Sequence, residues 1–257
     1  MEVPSIQSSA TGVEKTNGKW ISIPSNPGLE HNMKNIDSEP KCVIISAGSF
    51  PEVLIDLREG DFCIAADAGF GYAQRLGILP DLIVGDFDSA KDAPPEVLRG
   101  IREIAENDPE RVMQLDVMKD DTDTMRAVKI GLSKGYRKFY LYGAMGGKRF
   151  DHSFANIQTL EFIKHQGGQG YIMDKDSMLF IAENETIRFH RGNTGTISVF
   201  SLSEVSRGVS LKGLLYGMED GELKRDFPLG VSNEFIIDEE AEVTVKEGTL
   251  LISVIWD

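Results

Sequence analysis

Carboxylates recur just past apolar runs in this chain, at spacings suited to metal and phosphate chemistry. Leu82-Ile83-Val84 leads into Gly85-Asp86-Phe87-Asp88-Ser89. A short apolar run closed by Gly reads as a buried strand entering a turn. Two carboxylates at i and i+2 beyond that strand can converge on one point if the turn curls, at the strand end where open α/β sheets hold ligands. Three further loops carry related residues: Asp67-Ala68-Gly69, Lys119-Asp120-Asp121-Thr122-Asp123, and the stretch from Gly143 through Gly146-Gly147-Lys148-Arg149-Phe150-Asp151-His152. In a parallel sheet all four loops share one edge. Two unit charges ~4 Å apart repel by about 4 kcal/mol at an effective dielectric of ~20. Several ionised Asp in one cleft are therefore costly unless a divalent cation joins them. Oxygen-only donors suit Mg²⁺, whose shell is completed by water and phosphate oxygens.

Each of these residues also has an ordinary structural role. Asp86 and Asp88 can cap a turn, Thr122, Asp123 or Asp151 can cap a helix, and Asp120 and Asp121 can be a solvated charge run. Arg149 can be a surface cation paired with Asp151, and His152 a satisfied structural histidine. What favours a site is the coincidence of four such loops on one edge.

The elements that must position these loops follow from periodicity. Residues 1–40 are rich in Ser, Asn, Gly and Pro and read as a poorly ordered extension, with a short added strand at Trp20–Ile23. From Lys41 onward, apolar strands at Cys42–Ile45, Phe62–Ala66, Leu82–Val84, Val112–Leu115 and Lys138–Tyr142 alternate with helices. The helices are expected at Pro51–Leu57, through Tyr72, Ala73 and Leu76 after Asp67-Ala68-Gly69, and at Pro94–Ala105, Asp123–Lys134 and Asp151–His165. Alternation of this kind implies right-handed crossovers and a parallel sheet. After Gly170 the helical periodicity stops. Short strands are expected at Tyr171–Met173, Met178–Ile181, Thr186–His190, Thr196–Phe200, Val209–Leu215, Glu234–Ile237, Glu242–Val245 and Leu250–Ile255. The fold class is thus a Rossmann-like, mostly parallel α/β domain over 41–170 followed by a C-terminal β-sandwich over 171–257. Gly230-Val231-Ser232-Asn233-Glu234 stands out as a polar insertion between apolar strands, and a hairpin turn is its simplest reading.

Composition narrows the function. A formal charge of −14 over 257 residues argues against a nucleic-acid groove, and admits a polyanionic ligand only with cations. No stretch approaches the ~18 to 20 apolar residues of a membrane span, and no secretory signal is visible, so a cytoplasmic protein is expected. Cys42 and Cys63 lie in apolar runs without metal-ligand spacing and read as buried reduced thiols. Gly69-Phe70-Gly71-Tyr72-Ala73-Gln74 is a poor dinucleotide fingerprint, since its last position is Gln. Gly143–Lys148 is one residue short of a Walker loop, and Arg149 stands where its Ser or Thr belongs.

Taken together, Asp67-Ala68-Gly69, the Gly85–Ser89 motif, Lys119–Asp123, the Gly-Gly…Arg149-Phe150-Asp151-His152 loop and the late Ser232-Asn233 pair resemble the thiamine pyrophosphokinase family, from about Lys41 to the C-terminus. The resemblance implies an α/β domain that binds ATP, a β-sandwich that helps bind thiamine, and a homodimer whose sites are completed across subunits. The implied reaction moves a diphosphate from ATP to the thiamine hydroxyl, releasing AMP. By position, Asp67, Asp86, Asp88 and Asp123 would hold Mg²⁺ and ATP, with Asp86, Asp88 and Asp123 as the metal ligands. Arg149 and Asp151 would complete the catalytic set. Lys119, Asp120, Thr122, Lys148 and His152 would line the nucleotide, and Ser232 and Asn233 the thiamine pocket. Asp88 or Asp151 would take or orient the hydroxyl proton. The chain departs from the family in having Ala68 where Gly is common and Lys148 as an extra residue before Arg149. Competing readings are a pyrophosphokinase for another heteroaromatic alcohol such as a pterin, a nucleotide-binding regulatory module without turnover, and a metal-dependent phosphohydrolase.

Overall fold

The central strands form because runs such as Cys42-Val43-Ile44-Ile45 have no polar side to present to water, and all four of these residues are fully buried. The computed structural model describes residues 19–21, 39–49, 53–86, 95–116 and 120–256. In chain order its elements are β1 (Lys19–Ile21), β2 (Cys42–Ile45), β3 (Phe62–Ala66), α1 (Gly69–Arg75), β4 (Leu82–Gly85), α2 (Pro95–Asn107), β5 (Val112–Gln114), α3 (Asp123–Ser133), β6 (Lys138–Tyr142), α4 (Phe150–His165) and β7 (Gln169–Met173). The rest is all strand: β8 (Ser177–Glu183), β9 (Thr186–Phe189), β10 (Thr196–Ser201), β11 (Val205–Lys212), β12 (Met218–Lys224), β13 (Gly230–Glu234), β14 (Ala241–Thr244) and β15 (Thr249–Ile255).

Strands β5-β4-β3-β2-β6-β7 pair in parallel, in that order. Alternate residues of the sheet feed opposite layers. Ile44, Ile64, Val84 and Leu141 meet Ala127 and Val128 of α3 and Leu160 and Ile163 of α4. On the other face Ala65 and Ile83 meet Phe70 of α1 and Val97 and Ile101 of α2. Helices cover both faces, as a parallel sheet requires. Chain order reverses between β2 and β6, so the crevice outside their carboxyl ends is the ligand position of the fold.

The sheet does not stop at the end of the α/β half. β7 turns back through Asp174-Lys175-Asp176 into β8, and β15, β10 and β13 continue the same sheet antiparallel, to ten strands. The expected start of the second half at Tyr171 therefore lies inside β7. A second sheet, β1-β9-β14-β11-β12, packs over the antiparallel end. Phe180, Val199 and Ile252 from one sheet and Phe189, Leu211 and Val243 from the other share one core cluster. The mixed parallel sheet with its helices and the following antiparallel β region agree with the expected fold class.

Three local readings differ from expectation. Residues 53–58 form no helix, with Val53, Ile55 and Leu57 half-buried on the core and Leu54 and Asp56 exposed, while Pro51 and Glu52 lie outside the described residues. That alternation is the period of a strand, not of a helix. β12 was not anticipated, because Met-Glu-Asp-Gly-Glu carries no apolar alternation; it is an edge strand beside β11, where charge is tolerated. The Gly230–Glu234 segment is neither insertion nor turn but β13, the edge of the ten-stranded sheet, and Glu234 ends it rather than beginning a strand to Ile237. The short strand anticipated at Trp20 forms over Lys19–Ile21, parallel to β9.

Candidate active site

At the switch point, β2 ends in Ser46-Ala47-Gly48-Ser49 and β6 in Gly143-Ala144-Met145. The two loops are fastened backbone to backbone: Ser46 N–H donates to Tyr142 O at 2.8 Å, Gly48 N–H to Gly143 O at 2.8 Å and Ser49 N–H to Met145 O at 3.1 Å. A Cβ on Gly48 would lie 2.5 Å from the Gly143 oxygen, so the close approach requires glycine there. Tyr72 OH donates to Gly48 O at 2.7 Å, and Asn156 Nδ2 of α4 to Ala144 O at 2.6 Å. The floor of the crevice is small, neutral and held from both helical layers.

The acids stand around this floor. Asp67 follows β3 with φ 52, and its N–H donates to Val84 O of β4 at 2.7 Å. A left-handed φ on a non-glycine costs of order 1 kcal/mol or more and persists where surroundings enforce it. That bond sets Asp67 beside the end of β4, from which Asp86 emerges, and both are half-buried. Ala68 keeps φ at −62, so the departure from Gly there is conformationally mild. Asp123 lies in the first turn of α3, whose start is tied to β2 by Ser46 Oγ and Thr124 Oγ1, 2.9 Å apart and buried. Three of the expected acids therefore sit on adjacent strand ends and the helix start that leans on them. Asp88 and Lys119 lie outside the described residues.

The other expected residues divide. Thr122 is the N-cap of α3, its Oγ1 accepting from Met125 N–H at 3.1 Å, so its hydroxyl is engaged by the helix. Asp120 is exposed, while Asp121 pairs with Lys129 at 2.7 Å. Arg149 and Asp151 hold each other at the start of α4, with Nε to Oδ1 at 2.9 Å and Nη2 to Oδ2 at 2.6 Å, both well exposed. The Arg149 hydrogen bond is the main influence that lowers the Asp151 carboxyl to about 2. Lys148 and His152 are exposed beside them. Among the described residues, no three His, Cys, Asp or Glu side chains form a ready cation cage.

Ser232 and Asn233 are far from this edge. They lie on β13, eight strand spacings from β4 in the same sheet, about 38 Å at ~4.8 Å per strand. Ser232 is exposed with φ 58, its N–H held by Ser198 Oγ at 3.0 Å, and Asn233 is buried. Sequence reasoning missed Ser46, Gly48, Thr124 and Asn156, which shape the floor. A Ser-Ala-Gly-Ser run at a strand end was the available signal for the first two; the others depend on contacts distant in sequence.

Comparison with known proteins bears on both ends of the chain. The family model described as the thiamin pyrophosphokinase catalytic domain matches residues 56–171, and that described as the thiamin pyrophosphokinase vitamin B1 binding domain matches residues 184–250. The chain belongs to the thiamin pyrophosphokinase family. The first match contains Asp67, Asp86, Asp123, Arg149 and Asp151, and the second contains Ser232 and Asn233. Among solved structures, thiamine pyrophosphokinase from Bacillus subtilis is 25% identical with a TM-score of 0.72, the match covering 84% of this chain and 99% of that one. The Geobacillus thermodenitrificans enzyme is 25% identical with a TM-score of 0.69, covering 84% and 98%. Yeast thiamin pyrophosphokinase shares the fold at 15% identity and a TM-score of 0.68, covering 96% and 94%. No curated protein matches the chain in sequence. Membership of this family makes the chain a kinase-type diphosphotransferase.

Proposed function

We propose that the protein moves a diphosphate from Mg-ATP to the hydroxyl of thiamine, giving thiamine diphosphate and AMP. The observation that carries this reading is the set of acids at one strand edge: Asp67, tied by its N–H to Val84 O, Asp86 at the end of that same strand, and Asp123 at the start of α3. A cleft so charged in a protein of net charge −14 suits a nucleotide that arrives with its cation. Mg²⁺ needs only one or two protein carboxylates when phosphate oxygens fill its shell, so oxygen donors without a preformed cage fit it. Asp86, Asp88 and Asp123 would hold the ion, which would neutralise the charge that builds on the transferred group.

The chain's own groups do the rest. The Gly48–Gly143 seam lets phosphates approach backbone closely, with Asp67 as a further acid at its side. Arg149 at the start of α4 brings a cation whose planar fork suits phosphate, with Lys148 and His152 as further donors on the same loop and Lys119 expected to join them from its own loop. Paired with Arg149, Asp151 is a weak proton acceptor and suited to orient Arg149, while Asp88 or Asp151 would take or orient the hydroxyl proton.

A thiamine-binding role for β13 favours a second copy of the chain. About 38 Å separates β13 from β4 within one sheet, beyond the span of one small alcohol and one triphosphate. At the β12 and β13 edges Leu215, Tyr216, Phe227, Leu229, Val231 and Ile237 are exposed, an apolar set suited to a homodimer that lays one chain's β13 against its partner's acids. Among the described residues no helix is long and apolar enough to cross a membrane, and Cys42 and Cys63 are free and buried. Both accord with a cytoplasmic enzyme. The vitamin B1 binding match weighs against a pterin as acceptor.

The deciding measurement is AMP formation from Mg-ATP with and without thiamine, on the natural protein and on Asp88→Ala. Thiamine-dependent AMP that is lost in the variant supports the reaction and the role of the motif. ATP binding without AMP at any thiamine concentration would sink it in favour of a regulatory module, and acceptor-independent phosphate release would favour a phosphohydrolase.

A further inference from the structure

Asn233 is buried, yet it lies in a segment whose neighbours Val231, Ser232 and Glu234 are all exposed. Its side chain is turned inward, away from the face that would receive an acceptor. The amide oxygen accepts from Tyr216 N–H at 2.9 Å and from Glu234 N–H at 3.0 Å, and Nδ2 donates to Tyr216 O at 2.7 Å. Both acceptor positions are used, and one of the two donors. Leu215 N–H adds a bond to Glu234 O at 3.0 Å, and Ser232 N–H is held by Ser198 Oγ. The turn after β11 is thereby fixed to β13, with the Tyr216 ring 65% exposed at its tip.

We infer that Asn233 is a positioning residue: it clamps both backbone groups of Tyr216, sets the Leu214–Gly217 turn and its exposed ring against the acceptor, and does not itself touch the acceptor. This rests on the reading that the β13 side receives thiamine. A residue only 3% exposed with both lone-pair positions satisfied has no acceptor left to offer a cationic heteroaromatic ring. A large exposed tyrosine beside it offers a face.

The test is a double-mutant cycle on the full chain with Asn233→Ala, Tyr216→Ala and both together, reading kcat and the KM values for thiamine and ATP. The expected result is that Asn233→Ala raises the thiamine KM by about tenfold, since both Tyr216 backbone groups and Glu234 N–H lose their partner, with kcat and the ATP KM little changed. The double variant is then no worse than Tyr216→Ala alone. If the two effects multiply, Asn233 meets the acceptor independently and the inference is overturned. Asn233→Asp supplies a second check. It keeps both acceptor bonds but cannot donate to Tyr216 O, so the thiamine KM should rise; a fall, from a new charge beside a cationic ring, would refute the clamp. Amide exchange separates this inference from the function it rests on. Loss of protection at Tyr216 N–H in Asn233→Ala is expected even if no thiamine-dependent AMP forms, in which case the functional reading fails and the clamp stands. Unchanged protection there overturns the clamp.

Discussion

Replacing Gly48 by Ala tests whether the seam between the loops after β2 and β6 is as tight as its bonds indicate. The added Cβ would stand 2.5 Å from Gly143 O and 2.9 Å from Met145 O. Ordinary contact begins at 3.4 Å, so the loops must part by about 0.9 Å, and both obstacles are backbone. Gly48 is not among the positive-φ glycines, so the cost is steric and not a matter of backbone conformation. Overpacking of this kind costs about 1–3 kcal/mol, and the upper half applies where no side chain can swing aside. At this chain length each kcal/mol lowers Tm by roughly 2–4 °C, which gives a fall of about 4–12 °C. Activity should fall further than stability alone explains, because a ~1 Å displacement of reacting groups can cost about 100-fold in rate. The assays are a thermal melt and thiamine-dependent AMP formation, read on the same preparation. Gly217→Ala is the thermal control, its Cβ meeting Leu211 O at an ordinary 3.6 Å. A Gly48→Ala protein that melts within about 1 °C of the natural one would refute the reasoning, since a seam that yields so easily cannot position anything.

Three other perturbations address single residues. Thr122→Ala removes the α3 cap and leaves Met125 N–H without its partner; a loss of ~1 kcal/mol, or roughly 2–4 °C in Tm, is expected, with the ATP KM changing little if Thr122 serves the helix rather than the nucleotide. Arg149→Ala should return the Asp151 carboxyl from about 2 toward the ordinary ~3.9, read by NMR titration; because the folded value is depressed, what the pair adds to stability is present above pH ~4 and lost as pH falls toward about 2, and an unmoved midpoint would show that Arg149 is not the cause. Mixing Asp86→Asn chains with Asn233→Ala chains at low thiamine should restore about a quarter of natural activity, since half of randomly paired dimers then carry one intact site; no gain over either parent would exclude a shared site.

Much of the acidic edge was legible because its signals are local. An apolar run, a Gly and an Asp within a few residues announce a strand end, and Thr122 three residues before Met125 announces a helix start. That is why Asp67, Asp86 and Asp123 could be assigned to one edge before any coordinates. The length of the sheet was not legible. β15, β10 and β13 join β8 through pairings set by distant segments, and an apolar strand looks alike in either sheet of a sandwich. Asn233 shows the same limit at one residue. Its sequence neighbourhood is polar and suggests exposure, whereas its burial depends on Tyr216, 17 residues away along the chain. Val53–Leu57 was misread for a different reason. Four apolar residues in five fit either period, and it is packing of Val53, Ile55 and Leu57 against the β-rich cluster that goes with the non-helical form.

The placement of charge follows from where the sheet reverses. At the switch point itself, between β2 and β6, the loops present Ser46, Ala47, Gly48, Gly143 and Ala144, none of them ionisable. The carboxylates are displaced one or two strands away, on β3, β4 and the start of α3. Carboxylates in the floor would repel a phosphate directly, at close range and without water between. Carboxylates on the flank would leave the floor to backbone dipoles and would reach a phosphate bound there through a cation. Asp67 N–H to Val84 O and Ser46 Oγ to Thr124 Oγ1 fix that flank in place, and both bonds are made within the rigid sheet and helix frame. Arg149, by contrast, is paired with exposed Asp151 outside that frame, so among the described residues it is a planar cation free to move onto a ligand.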